Sequence, residues 1–128
     1  MATKSFFTIR LGDENISTQG WNLSPRFACR IDKGHGYRIT HLPSGFLLTD
    51  MGFATVEGAK SLADAIEAIV GKHLDQSNVD DFQDFVRTDP ACKSLYNTIK
   101  KMNHLAKTKL IMDDVELSAW IEGMKNGQ

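Results

Sequence analysis

The 128 residues predict one domain spanning 1–128, long enough to bury a core without disulfide or metal staples. Hydrophobic residues make up 41% and charged residues 24%, with 3 Pro, which excludes disordered, collagen-like and disulfide-scaffold classes. Fifteen basic and sixteen acidic side chains leave a net charge of −1, so no global field points to nucleic acid or to a membrane.

The start, Met1 to Ser17, lacks the continuous apolar core of a signal peptide, and no run approaches the roughly 18 apolar residues of a membrane span. Cys29 and Cys92 read as two free, reduced thiols. Both readings place the chain in a reducing, cytoplasmic setting.

The hydrophobic period changes once, near residue 53. Before it, residues alternate as in strands. Phe7, Ile9 and Leu11 share one side of a first strand, with Phe6, Thr8 and Arg10 on the other. The segment 12–26 reads as one long irregular connection anchored by Trp21. Phe27, Cys29 and Ile31 then alternate against Ala28, Arg30 and Asp32, and Tyr37 and Ile39 against Arg38 and Thr40. A fourth run follows at Phe46 to Thr49. Lys33-Gly34-His35-Gly36 offers positive-φ glycines for a hairpin, and Leu42-Pro43-Ser44-Gly45 has the residues of a type I turn.

Beyond residue 53 the period is helical. Thr55 caps a helix with the stripe Val56, Ala59, Leu62, Ala63, Ile66, Ile69 and Val70. Ser77 with Asp80 opens a second helix carrying Val79, Phe82, Phe85 and Val86. Asp89 and Pro90 suit the cap and first position of a third, striped by Cys92, Leu95, Tyr96, Ile99, Met102, Leu105 and Ala106. Asp113 or Asp114 opens the last, with Leu117, Trp120, Ile121 and Met124 on one side. The expected fold is α+β: a small antiparallel meander of about three or four strands over residues 5–50, then about four helices packed on one face.

Charge is segregated along the chain. Residues 1–50 sum to +2, 51–90 to −5, 91–112 to +5 and 113–128 to −3. Within the +5 block, a turn of about 100° per residue puts Lys93, Lys100, His104 and Lys107 in one sector, with Lys101 at its edge. That sector lies opposite the apolar stripe. If Phe7 and Ile9 face the helices together with Phe27, Cys29, Ile31, Tyr37 and Ile39, then Arg10, Arg30 and Arg38 share the other sheet face, where arginine could grip phosphate or carboxylate. These eight residues are the candidate partner-binding positions.

No catalytic, metal or cofactor signature emerges. Cys29-x5-His35-x5-His41 matches no zinc spacing, and nothing orients a Cys29–His41 nucleophile pair. Asp80, Asp81 and Asp84 suit the first turn of a helix, where the macrodipole favours carboxylates, better than a magnesium site. Gly34-His35-Gly36 lacks the context of a dinucleotide loop.

The segments Gly36 to Phe46 and Phe53 to Ala59 together are similar to small hairpin-then-helix modules, some of which sit in DNA-binding arms of mobile-element proteins. That likeness covers about a quarter of the chain and assigns no residue a role. The reading that follows is a non-enzymatic interaction protein that binds another protein or a protein assembly, as an adaptor, a regulator or an inhibitor of phage or mobile-element type. The alternative is a nucleic-acid-binding module that uses the Lys helix face, the Arg sheet face, or both.

Overall fold

A computed structural model describes residues 3–11, 13–71, 75 and 79–126. The chain is α+β, with a seven-stranded mixed sheet and four α-helices among the described residues. Strands β1 (Thr3–Leu11), β2 (Glu14–Ser24), β3 (Phe27–Asp32) and β4 (Gly36–His41) form an antiparallel meander, and short β5 (Phe46–Leu47) returns along β4. Then β6 (Gly52–Phe53) pairs with β4, and β7 (Ile111–Met112) pairs parallel to β6.

The sheet is larger than the sequence pattern implies. The segment expected to be an irregular connection holds β2, eleven residues long, paired with β1 from Glu14 to Asn22. Its upper half is mostly exposed, so no apolar alternation marks it; backbone pairing, with Ile16 and Thr18 opposite Ile9 and Phe7, holds it as a strand. Trp21 lies within this strand, half-buried and edge-on to Tyr37 with ring centroids 5.5 Å apart. β7 also escapes the pattern, because two residues between helices carry no periodicity.

The β1–β2 hairpin curls over the sheet face that the helices leave open. The Arg10 N–H donates to the Gly45 carbonyl at 2.8 Å, tying the far end of β1 to the β4–β5 turn. Phe7 and Ile9 therefore do not face the helices as expected. They close on Ala28, with Leu42 alongside, in a small second core. Gly20 permits the curl, since a Cβ there would overlap the Cys29 carbonyl and lie 2.7 Å from the Phe7 ring.

The main core lies on the other face, under α1 (Val56–Ile69), α3 (Lys93–Leu105) and α4 (Asp114–Lys125), with α2 (Val79–Thr88) packed against α3. Phe27, Cys29, Ile39, Phe53 and Met112 supply the sheet side; Leu62, Ile66, Leu95, Met102 and Leu117 supply the helix side. Two caps fall where expected. Thr55 Oγ1 accepts from the Gly58 N–H at 2.9 Å, and Asp113 Oδ1 accepts from the Glu116 N–H at 2.8 Å. At the third helix the expectation shifts by one turn: Asp89 and Pro90 open a 3-10 turn, Pro90–Cys92, and α3 begins after it. The cap expected at Ser77 lies outside the described residues. No described helix is long and apolar enough to cross a membrane.

Phe27 is fully buried at the centre of the main core. Phe27→Ala is expected to cost about 3–5 kcal/mol in urea denaturation. The wild type is expected to melt in one transition seen equally by far-UV circular dichroism and by Trp fluorescence.

Candidate functional site

Arg30 and Arg38 stand directly opposite each other on β3 and β4. Like charges in that position repel, and Asp32 relieves the pair by bonding both, at 3.1 Å to Arg30 and 3.3 Å to Arg38. The Nε of each guanidinium is buried without a hydrogen-bond partner among the described residues. Both arginines are mostly buried, so they form an internal three-charge cluster more than an open landing surface. Arg10 does not join them. Strand parity sets it on the opposite side of β1 from Ile9, and its guanidinium lies 5.8 Å from the centroid of the Phe46 ring. The three-arginine face expected from the sequence is not formed, because the curl of β1–β2 turns Phe7 and Ile9 onto the Arg30 side.

The basic residues of α3 do come together. Leu95, Thr98 and Met102 form its buried side, and the Ala106 that follows is buried too. Two polar anchors on opposite flanks of that stripe fix the rotation of the helix. Ser94 Oγ donates to the Met124 carbonyl of α4 at 2.7 Å, and Asn103 Oδ1 accepts from the Asp50 N–H at 2.8 Å. Lys93, Lys100, Lys101 and His104 are consequently forced outward, Lys107 follows them in the turn after α3, and all five are exposed. At 1.5 Å per residue the helical part of the row, Lys93 to His104, is about 17 Å long.

The rest of the chain neutralises most of its cations. Arg26 bonds Glu67 at 2.7 Å and Asp75 at 2.6 Å, a pairing that holds the Asp75 carboxyl below its ordinary range and raises the Arg26 guanidinium. Lys60 reaches Asp64, Arg87 reaches Asp84, and Lys109 reaches Glu116. None of the five residues on the α3 face has an ion-pair partner among the described residues. Asp84, in the acidic segment that could have relieved them, is turned to Arg87 instead.

Two depressions flank α3. A cleft of about 370 Å³ opens between the Phe46–Asp50 segment and helices α2 and α3, with Tyr96 and Ile99 on its apolar side. Its size is that of a small-ligand pocket, yet the Asp84–Arg87 pair and the Asp50–Asn103 bond already satisfy polar groups in its lining. A shallower groove of about 270 Å³ runs between α3 and α4, where Lys101 borders Trp120, Ala119 and Met124.

His35, His41 and the two cysteines lie within turns or the core. His41 is fully buried, with Nδ1 2.8 Å from Ser44 Oγ, and that same oxygen accepts from the Phe46 N–H at 3.3 Å. The pair bonds the β4–β5 turn from within. Sequence reading missed it, since a His–Ser pair three residues apart is read only once the turn is known. His35 stays in the β3–β4 turn, 3.4 Å from the Lys33 carbonyl. Among the described residues no three His, Cys, Asp or Glu side chains gather as metal ligands. Comparison with models of protein families, with curated proteins and with solved structures gave no match.

Cys29 and Cys92 are free and buried. Burial pushes the Cys29 thiol up to about 12 from the usual 9.0. Burial, with Asp89 nearby, pushes Cys92 up to about 11. A thiol held neutral in the fold but ionising near 9 when unfolded stabilises the fold below that pH. Its contribution falls away as the pH rises toward 11–12. Neither thiol is expected to react with a disulfide reagent at pH 8 until denaturant is added. The melting temperature is expected to fall between pH 8.5 and 10.5, less steeply in a Cys29→Ala, Cys92→Ala variant.

Proposed function

We propose that the chain is a non-enzymatic binding module that docks an acidic protein surface on the outer face of α3. One observation carries this reading: Lys93, Lys100, Lys101 and His104 are held outward by a fixed helix rotation, Lys107 follows in the next turn, and all five are left without ion-pair partners among the described residues. Like charges on neighbouring turns cost a few tenths of a kcal/mol per pair. Carboxylates on a partner would offset that cost on docking and steer the approach.

A protein fits this face better than a nucleic acid does. The groove beside Lys101 adds an apolar foothold at Ala119 and Trp120, of use to a partner that carries aliphatic or aromatic side chains. The two buried free thiols suit a reducing, cytoplasmic setting for this role.

The test is affinity capture from nuclease-treated extract of the native host, wild type beside a Lys100→Glu, Lys101→Glu variant. The variant is expected to melt as the wild type does, because both side chains are exposed, while losing at least about tenfold in affinity for the captured protein. Equal capture by both proteins would contradict the reading. Capture that nuclease abolishes, with log K falling by about 0.9 per phosphate against log salt, would replace it with nucleic-acid binding.

A further inference from the structure

We propose that β1 is a dimerisation edge: two copies of the chain pair their β1 strands antiparallel about a two-fold axis at Phe6. β1 is the outermost strand of the sheet, with β2 on one side. Backbone groups along a strand point alternately to the two sides. The Arg10 N–H turns away from β2 to reach Gly45, so the even-numbered residues of β1 direct their N–H and C=O groups outward. No described strand lies beside that row at Lys4, Phe6 and Thr8, and all three side chains are exposed, Phe6 to 72%.

Proteins normally blunt such an edge with proline, a bulge or charge. β1 has no proline and pairs with β2 in unbroken register. Apart from Arg10 at its far end, its one charge is Lys4, which leans over the Trp21 ring, 5.7 Å from the centroid.

The edge is complementary to itself. With Phe6 on the axis, Lys4 of one copy falls opposite Thr8 of the second, and the two Phe6 rings become cross-strand neighbours. No like charges oppose each other across Lys4 to Thr8, and the outward row supplies about six backbone hydrogen bonds. The Gly45 turn already occupies the edge at Arg10 and ends the pairing there. An isologous contact of this kind closes on itself, giving a dimer and not a fibre. The inference is independent of the α3 face, which draws on other residues.

Sedimentation equilibrium of the full chain tests it. An interface this small lies at the weak end of the range, so the mean mass is expected to climb from 14.3 kDa toward twice that value between about 5 and 500 μM. Phe6→Lys places like charges at the axis and is expected to raise the dimer Kd by at least about tenfold. Thr8→Pro removes an outward N–H and leaves the β1–β2 ladder whole, with the same expected effect. Should Thr8→Pro lose the wild-type circular dichroism, Phe6→Lys alone decides. A 14.3 kDa species at every concentration, or a dimer that Phe6→Lys leaves as tight as wild type, overturns the proposal.

Discussion

The structure depends on one apolar surface, the helix-facing side of the sheet. Phe27, Cys29 and Ile39 occupy it on β3 and β4, Phe53 and Met112 extend it across β6 and β7, and all five are fully buried. Each side chain of that size contributes about 1.5–3 kcal/mol when removed from water, but only if something covers it. Helices α1, α3 and α4 are the cover, and their own stripes share the same cluster. Neither half has a second partner of comparable extent, since the core under the β1–β2 curl consists of Phe7, Ile9, Ala28 and Leu42. The parallel pairing of β7 with β6 then fixes the C-terminal half to the sheet by backbone, through Gly52 N–H to the Leu110 carbonyl and Ala54 N–H to the Met112 carbonyl.

That surface also decides where charge can go. An α-helix that must give Leu95, Met102 and Ala106 to the core, with Ser94 and Asn103 bonded on either flank, has one remaining direction for Lys93, Lys100 and Lys101. The basic face is thus a consequence of the buried stripe in direction and a separate feature in composition. Burial would be equally well served by a face of mixed charge. Arg30 and Arg38, by contrast, are brought together by the fold and supplied with Asp32.

Much of this was legible in the sequence, for a physical reason in each case. Period-2 alternation marked β3 and β4 through Phe27, Cys29 and Ile39, although Ala28 and Thr40 are buried on the other face and Ile31, expected toward the helices, is exposed. The 3.6-residue stripes marked α1, α3 and α4 because one side of each is buried. Thr55 and Asp113 were readable as caps since a cap is a local bond between near neighbours. What failed was everything held by distant backbone. β2 buries Gly20 and Leu23 and little else, so its strand character comes from β1. β7 is two residues long. The curl of the first hairpin rests on the Arg10–Gly45 bond, 35 residues apart in sequence, and it sends Phe7, Ile9 and Arg10 to faces that alternation alone cannot assign. At the candidate site, the α3 sector was readable from helical spacing, whereas the lack of ion-pair partners, the flanking anchors and the α3–α4 groove required the packed chain.

Native-state hydrogen exchange measures most directly whether sheet and helices are a single unit. The amides of Gly52 and Ala54 bridge β6 to β7 and report on the helical half, while the Leu48 amide, bonded to the Ile39 carbonyl, reports on the meander. Exchange of all three at one common opening free energy, equal to that of global unfolding, is the expected result. If Gly52 and Ala54 exchange through a separate opening of lower free energy while Leu48 stays protected, the helices are an appendage to a self-sufficient sheet, and the account of the shared surface is wrong.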